Sequence, residues 1–337
     1  MSSPTSAPVI GIDLRPTNVA TAVLHEGQLD EPLVEPPERS DPARLIDQLA
    51  AMVKSARTDD LLAVGIGVPR IVEWRTGRVV STSRASAPAT NGALGLPLAD
   101  VPLRQVLEER LGVPVFVDNA ANVGALAEAH DDELELVARH LVMFTVGTHV
   151  GSGLVLGGRI YRGATGAAGE LGHTILGLDL AGAVPAPMGF PQPGSLEFVV
   201  AGHALDRLAA LAGRVHPKSA LARFRAEGKP VLSAHVIEAA LDGDESAARM
   251  VEIWGQRIGV AVANAVHTFD PEEVVIGGDA ARAGLLLLEP ARRVALEYVL
   301  PGLGARTTIR LARHGIHAGV LGAALLARSE LDPDVAG

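Results

Sequence analysis

Short apolar runs rich in β-branched residues alternate along the chain with longer stretches in which apolar residues recur at helical spacing. The short runs are typical of buried strands and the longer stretches of amphipathic helices. We predict strands at 8–14, 17–26, 61–72, 114–119, 140–160 (two strands joined at a glycine-rich turn), 272–278 and 307–314. We predict helices at 41–57, 103–112, 120–130, 195–211, in long stretches from 234 to 268, and at 317–330. This alternation of strands and helices predicts an α/β protein.

Composition narrows the class of protein. The chain has 337 residues with 48% apolar content, enough for about two lobes at roughly 150 residues each. Its net charge of −10 argues against nucleic acid and anionic membranes as partners. The sequence contains no cysteine, which excludes disulfides and cysteine-ligated zinc and suits a cytoplasmic protein. It has no long apolar run typical of a membrane span and no secretory signal at its start.

The candidate chemistry lies in glycine-rich and carboxylate-containing segments at the ends of predicted strands. They are 11–17 (GIDLRPT), 65–69 (GIGVP), 117–122 (VDNAAN), 147–153 (GTHVGSG), 166–173 (GAAGELGH), 194–197 (GSLE), 271–278 and 319–324. In this order, over nearly the whole chain, they resemble the segments of the ROK family of sugar kinases and sugar-responsive repressors. The resemblance implies a two-lobed actin-like ATPase fold of the ribonuclease H-like, sugar-kinase type, in which hexose and nucleotide meet in the cleft.

The resemblance also implies lobes and ligand residues. The expected lobes are 1–117 and 118–314, with a C-terminal helix in 315–337 packing back on the first. The residues that match the sugar ligands of the family are Asn91, Asn119, Glu170, His173 and Glu197. Those that match its nucleotide and phosphate ligands are Asp13, Thr17, Gly147, Thr148, Gly151, Gly277 and Gly278.

The catalytic base is the main departure from the family pattern. A sugar kinase needs a carboxylate that accepts the proton of the hexose hydroxyl, and the matching position here is Ala120. A methyl group accepts no proton. Asp118, two residues earlier, is a weak candidate for a substitute base.

The first phosphate turn is a second departure, because Arg15 and Pro16 stand where the family has glycines. Proline has no N–H to offer a phosphate. The sequence leaves open whether Arg15 contacts a phosphate through its side chain or whether the turn binds no ligand.

Zinc and DNA are not expected as ligands. The family holds zinc with one histidine and three cysteines, whereas here only His173 remains and Ser195 stands at the last cysteine position. The first predicted strand begins by about Pro8, which leaves no room for the helix-turn-helix of the family's repressors.

Two hypotheses remain at this point. The favoured one is a pseudokinase that binds a hexose and has lost most or all catalysis. The alternative is an active glucokinase or hexokinase that uses ATP and magnesium to phosphorylate the sugar 6-hydroxyl. In both, the partner is a small-molecule hexose, and whether the chain forms a homodimer is left open.

Overall fold

A computed structural model describes residues 7–80, 96–178, 184, 189–215, 221 and 231–331, with 211–215 described by their backbone alone. The strands are β1 Val9–Leu14, β2 Val19–His25, β3 Gln28–Leu29, β4 Leu33–Glu35, β5 Ala63–Val68, β6 Val72–Glu73, β7 Arg78–Val79, β8 Val115–Asn119, β9 His140–Val146, β10 Val150–Leu156, β11 Arg159–Ile160, β12 Glu273–Gly277 and β13 Thr308–Leu311. The helices are α1 Pro42–Ala56, α2 Leu103–Leu111, α3 Ala120–Glu128, α4 Leu196–Val200, α5 Gly202–Val215, α6 Ser233–Leu241, α7 Glu245–Phe269, α8 Leu285–Tyr298 and α9 Ala318–Leu331. Short 3-10 helices lie at Leu171–His173, Asp279–Ala283 and Gly315–His317. The α/β prediction is confirmed.

The chain divides into two compact units. The first comprises Met1–Arg139, Gly153–Gly169 and Arg313–Gly337, and the second His140–Ser152 and Glu170–Ala312. These bounds differ from the expected lobes. Residues 118–139 belong to the first unit because β8 pairs with β5 and α3 packs on α9.

The first unit is built on a sheet with strands in the order β3-β2-β1-β5-β8, with β4 paired to β2. Alternating side chains of β1 and β5 point to opposite faces, so Ile10 and Ile66 pack in the core that also contains residues of α1 and α2. On the other face, Val9 and Ala63 pack with residues of α3 and α9. The helix α9 thus belongs to the core of this unit.

Glycines in β1 and β5 allow α9 to approach the sheet at backbone distance. A Cβ on Gly65 would lie 1.7 Å from the carbonyl oxygen of Ala323, and one on Gly11 would lie 2.0 Å from that of Val320. No larger residue fits at either position without moving the helix. The close packing brings the start of α9 next to the end of β1, where Asp13 lies.

The second unit holds β9, the start of β10, β12 and β13, which belong to a sheet of order β11-β10-β9-β12-β13. The strand β12 pairs in parallel with both β9 and β13. The long helix α7 packs against α8 and α6. Within the described residues, no helix combines the length and the apolar character that a membrane span requires.

The single helix predicted at 195–211 is wrong, because the chain forms two helices, α4 and α5, with a break at Ala201. Ala201 is extended, with ψ at 159°, and this turns the amide of Gly202 toward the carbonyl oxygen of Gly147, 2.7 Å away. A hydrogen bond to a distant turn therefore interrupts a continuous helical pattern.

Candidate functional site

The junction between β8 and α3 places three of the predicted residues in the first unit. Asn119 is the N-cap of α3, and its Oδ1 accepts a hydrogen bond from the amide of Ala121 at 2.7 Å. Its Nδ2 donates to the carbonyl oxygen of Arg70 at 3.0 Å. Ala120 follows as the first helical residue. Asn119 is therefore held rigidly, with one N–H and one lone pair of the side chain left for a ligand.

Asp118 is fully engaged in contacts within the protein. Its Oδ2 accepts from Nε of Arg162 at 2.6 Å, and its Oδ1 accepts from Nδ2 of Asn122 at 2.8 Å and from the amide of Asn119 at 2.7 Å. Its side chain is only 4% exposed. Arg162 is held in turn by Glu330 through Nη2 at 2.6 Å. A carboxylate bound by a guanidinium and buried in this way is poorly placed to take a proton from a substrate.

The turn after β1 is occupied by a second internal ion pair. Nε of Arg15 donates to Oδ2 of Asp13 at 2.5 Å, and Asp13 is 2% exposed. Burial raises the pKa of Asp13, while the charge of Arg15 opposes that rise. The amide of Arg15 donates to the carbonyl oxygen of Asn18 at 2.8 Å. Thr17, the other predicted phosphate ligand of this turn, is exposed.

In the second unit, Glu197 lies buried at the start of α4, beside the glycine-rich turn at residues 147–153. Its Oε2 accepts from the amide of Val150 at 2.9 Å, and its Oε1 lies 3.4 Å from Nδ1 of His149. Burial alone would raise the pKa of Glu197, but these two hydrogen bonds lower it overall. The hydrogen bond to Glu197 raises the pKa of His149. At neutral pH Glu197 is therefore a carboxylate that can accept hydrogen bonds from a ligand.

Glu170 is the N-cap of the short 3-10 helix Leu171–His173, and His173 is the last residue of that helix. Nε2 of His173 lies 3.7 Å from Oε2 of Glu170. Burial raises the pKa of Glu170, an effect that His173 opposes and the charge of Glu197 reinforces. The amide of Leu171 donates to Oγ of Ser152 at 3.0 Å and fixes this segment. The amide of Leu196 donates to the carbonyl oxygen of Thr174 at 2.9 Å, so the segments that carry Glu170, His173 and Glu197 are neighbours, and we refer to these three residues as the polar cluster.

The glycines predicted for the nucleotide also come together in the second unit. Gly277, at the end of β12, pairs with Thr145 of β9, two residues before Gly147. Gly278 has φ at +74°, and a Cβ there would lie 2.7 Å from the carbonyl oxygen of Val146. The amide of Gly147 donates to the carbonyl oxygen of His149 at 3.0 Å, so it is already used inside the turn. Thr148 is exposed at the tip of this turn and Gly151 is half-buried.

Two metals implied by the resemblance can be tested against these side chains. Magnesium favours carboxylate oxygens with several retained waters, but the carboxylate of Asp13 already binds the guanidinium of Arg15. Magnesium therefore does not fit at Asp13 as the side chains stand. At the expected zinc position, the ring of His173 meets Phe190 edge-on, with ring centroids 5.4 Å apart. The prediction that the chain holds no zinc stays a prediction.

Sequence reasoning missed several of these contacts, and one predicted ligand cannot be placed. Arg162 and His149 contact the predicted site residues, yet neither matches a family ligand. His149 stands where the family has a glycine, and that substitution was the one available signal. Asn91 lies outside the described residues.

Comparison with known proteins settles the family. The chain matches the ROK family over residues 9–330. It belongs to that family. This ROK chain is 30% identical to a glucokinase of Halalkalibacterium halodurans over 332 residues, which is 95% of each chain.

Solved structures agree with this assignment. The ROK hexokinase of Thermus thermophilus superposes with a TM-score of 0.72 at 31% identity, over 97% of this chain and 99% of that one. A ROK glucokinase of Streptomyces griseus in complex with glucose and AMPPNP gives 0.74 at 27% identity, over 96% and 99%. The predicted fold class, an actin-like ATPase fold of the sugar-kinase type, is therefore confirmed.

Proposed function

We propose that this chain is a hexose-binding ROK protein in which phosphoryl transfer is strongly impaired. The observation that carries the proposal lies at the start of α3. The base position is the methyl group of Ala120, and the neighbouring carboxylate, Asp118, is buried and bound by Arg162. No group at this junction is therefore free to accept the proton of an attacking hydroxyl.

The hexose half of the proposal rests on the polar cluster of Glu170, His173 and Glu197 in the second unit; in the first unit, Asn119 is a separate candidate sugar ligand. Two carboxylates and an imidazole suit a ligand whose hydroxyls both donate and accept hydrogen bonds. Glu197 is held by a backbone amide and needs no rearrangement to accept a further donor. The relatives named above, a glucokinase and a hexokinase, support a hexose as the ligand class.

A second candidate function is that of an active ATP-dependent glucokinase or hexokinase. It is favoured by the 30% identity to a glucokinase across 95% of both chains and by the likeness to a glucokinase that binds glucose and AMPPNP. It requires a base from elsewhere in the chain and a phosphate site that works despite Arg15 and Pro16. ATP with magnesium would be its cofactors.

Calorimetry with a panel of hexoses tests the binding half of the proposal. We expect the wild-type protein to bind at least one hexose and Glu197→Gln to weaken that binding about 10- to 100-fold, since a hydrogen bond to a charged group contributes about 1.5–3 kcal/mol. Glu238→Gln, on the surface of α6, is the matched control and should bind as wild type does. Failure of the wild type to bind any hexose would refute the proposal.

A coupled phosphorylation assay on the same samples tests the catalytic half. We expect turnover far below one per second for every hexose that binds. Turnover of several per second, which is ordinary for an enzyme, would establish the active kinase instead.

A further inference from the structure

The cation nearest to the carboxylate of Asp13 belongs to the protein itself. Nε of Arg15 lies 2.5 Å from Oδ2 of Asp13, and Nη2 donates to the carbonyl oxygen of Ile316 at 3.0 Å. These bonds tie the end of β1 to the segment that leads into α9. Both groups that fix the guanidinium lie in the same compact unit, so the arrangement is a local property of that unit.

The backbone around Asp13 leaves little space for a hydrated metal ion. A Cβ on Gly319 would lie 2.1 Å from Oδ2 and 2.9 Å from Oδ1 of Asp13, and one on Gly67 would lie 3.9 Å from Oδ1. The carboxylate is thus enclosed by backbone on one side and by Arg15 on another. Magnesium keeps several waters and demands near-ideal octahedral geometry. It would have to displace the guanidinium to reach this carboxylate.

The same arginine still has donors to offer. A guanidinium has five N–H groups, and the described contacts of Arg15 use one on Nε and one on Nη2. Its side chain is 37% exposed. The backbone of the turn offers fewer hydrogen-bond donors, because the amide of Arg15 already donates to the carbonyl oxygen of Asn18 and Pro16 has no N–H. The donors available to an anion at this turn therefore include the remaining N–H groups of the Arg15 side chain, beside those of the exposed Thr17 and of Arg39, whose guanidinium donates to the carbonyl oxygen of Pro16.

We propose that Arg15 is a built-in counterion that takes the place of a divalent metal at Asp13, so that this turn binds the phosphate anion of a nucleotide or of free pyrophosphate without magnesium. The inference goes beyond the proposed function, which concerns the hexose, and takes residues 13–17 as the first phosphate turn that the resemblance implies. A planar guanidinium binds phosphate by charge-assisted and bidentate hydrogen bonds, so a metal bridge is not needed for binding.

Calorimetry of the full-length protein tests this inference, with ATP and pyrophosphate each titrated in EDTA and in excess magnesium. We expect the wild type to bind with affinities that agree within about threefold in the two conditions. Arg15→Gln should weaken binding in EDTA about tenfold or more, the loss expected for a hydrogen bond to a charged group. Arg15→Lys, which keeps the charge, should retain more of the affinity. Arg44→Gln, an exposed arginine of α1, removes the same charge elsewhere and should match wild type.

The outcomes separate this inference from the hexose proposal. If pyrophosphate binds and depends on Arg15 as ATP does, the anion site is supported and pyrophosphate alone is sufficient for binding. If only ATP binds, the anion site is supported and the nucleoside is also required. ATP affinity at least tenfold higher with magnesium, equal effects of Arg15→Gln and Arg44→Gln, or no binding of either anion overturns it. Hexose titrations of the same samples report on the proposed function independently, since they need neither anion nor metal.

Discussion

Under the proposed function, replacing Ala120 by aspartate should raise the rate of hexose phosphorylation. The residue is the first of α3, directly after the N-cap Asn119. A negative charge at a helix N-terminus is favourable by about 0.3–1 kcal/mol. The neighbouring Asp118 is neutralised by Arg162 at 2.6 Å, so repulsion between the two carboxylates is small. The variant is therefore expected to fold.

The size of the gain follows from what a general base contributes. A positioned base accelerates proton transfer by about 10²–10⁴-fold, or about 3–5 kcal/mol of transition-state stabilisation. Ala120→Asp alone should recover only part of this, because Arg15 and Pro16 still alter the first phosphate turn. Combining it with Arg15→Gly and Pro16→Gly should raise turnover further and make it dependent on magnesium.

The assay is hexose phosphorylation coupled to oxidation of the sugar phosphate, with a detection limit well below one turnover per minute. Ala120→Asn is the matched control, because it has nearly the same shape and hydrogen-bonding reach but accepts no proton. Hexose affinity should be similar in both variants, since the change concerns the transition state rather than the bound sugar.

Two results would contradict this reasoning. If Ala120→Asn gained as much activity as Ala120→Asp, the added side chain would act by shape and not as a base. If the wild type already turned over at several per second and Asp118→Asn abolished that turnover, Asp118 would be the base despite its bond to Arg162.

The remaining predictions concern stability and pH. Arg162→Ala leaves Asp118 buried without its counterion and should lower the free energy of unfolding by about 3–5 kcal/mol, measured by urea denaturation. The pKa of His149 is raised in the folded state. Its pair with Glu197 therefore stabilises the fold fully below the unfolded pKa near 6.5, and this stabilisation is lost as pH rises through the folded pKa. The stability difference between wild type and His149→Gln should therefore be larger at pH 6 than at pH 8.5. Gly65→Ala places a Cβ 1.7 Å from a carbonyl oxygen of α9 and should cost about 1–3 kcal/mol or more.

Each of these variants has a control in the chain. Arg44→Ala removes an arginine that is 70% exposed, and its stability should stay near that of wild type. His25→Gln changes an exposed histidine at the end of β2 and should show no comparable pH dependence. Gly177→Ala adds a Cβ with no described atom within 4 Å, so it should be nearly neutral. If a control variant changed stability, or its pH dependence, as much as the variant it is paired with, the structural explanation of that prediction would be wrong.

The sequence predicted the long strands and most helices because their apolar period is strong and local, but it did not predict the strands β3, β4, β6 and β7 or the helix α8. The turn at Glu26 and Gly27 is also local, and both residues have positive φ. The clustering of Glu170, His173 and Glu197 was also within reach, but through the resemblance to the family. Nothing in spacing or composition brings residues 170 and 197 together.

What the sequence could not supply are contacts between residues far apart in the chain. Arg162 binds Asp118 across 44 positions and Glu330 across 168, and no local pattern encodes either pair. The break at Ala201 has the same origin, since a hydrogen bond to Gly147 overrides a continuous helical pattern. The direction of the Arg15 side chain, toward Asp13 and not toward solvent, likewise depends on the position of Ile316.

The carboxylates of Asp13, Asp118 and Glu197 each have a partner within the protein, and this affects how readily each can bind a ligand. A buried charge without a partner is costly for the stability of the fold. Here Asp13 is bound by Arg15, Asp118 by Arg162 and Glu197 by His149. A ligand of Asp13 or Asp118 must therefore compete with bonds that already exist, each with a net contribution of about 1.5–3 kcal/mol when a charge is involved. Glu197 differs, since its pair with His149 is longer, at 3.4 Å, and His149 is 49% exposed, so among these three carboxylates Glu197 is the most open to a ligand. Asp13 and Asp118, by contrast, are each paired with an arginine, which stays charged at any physiological pH.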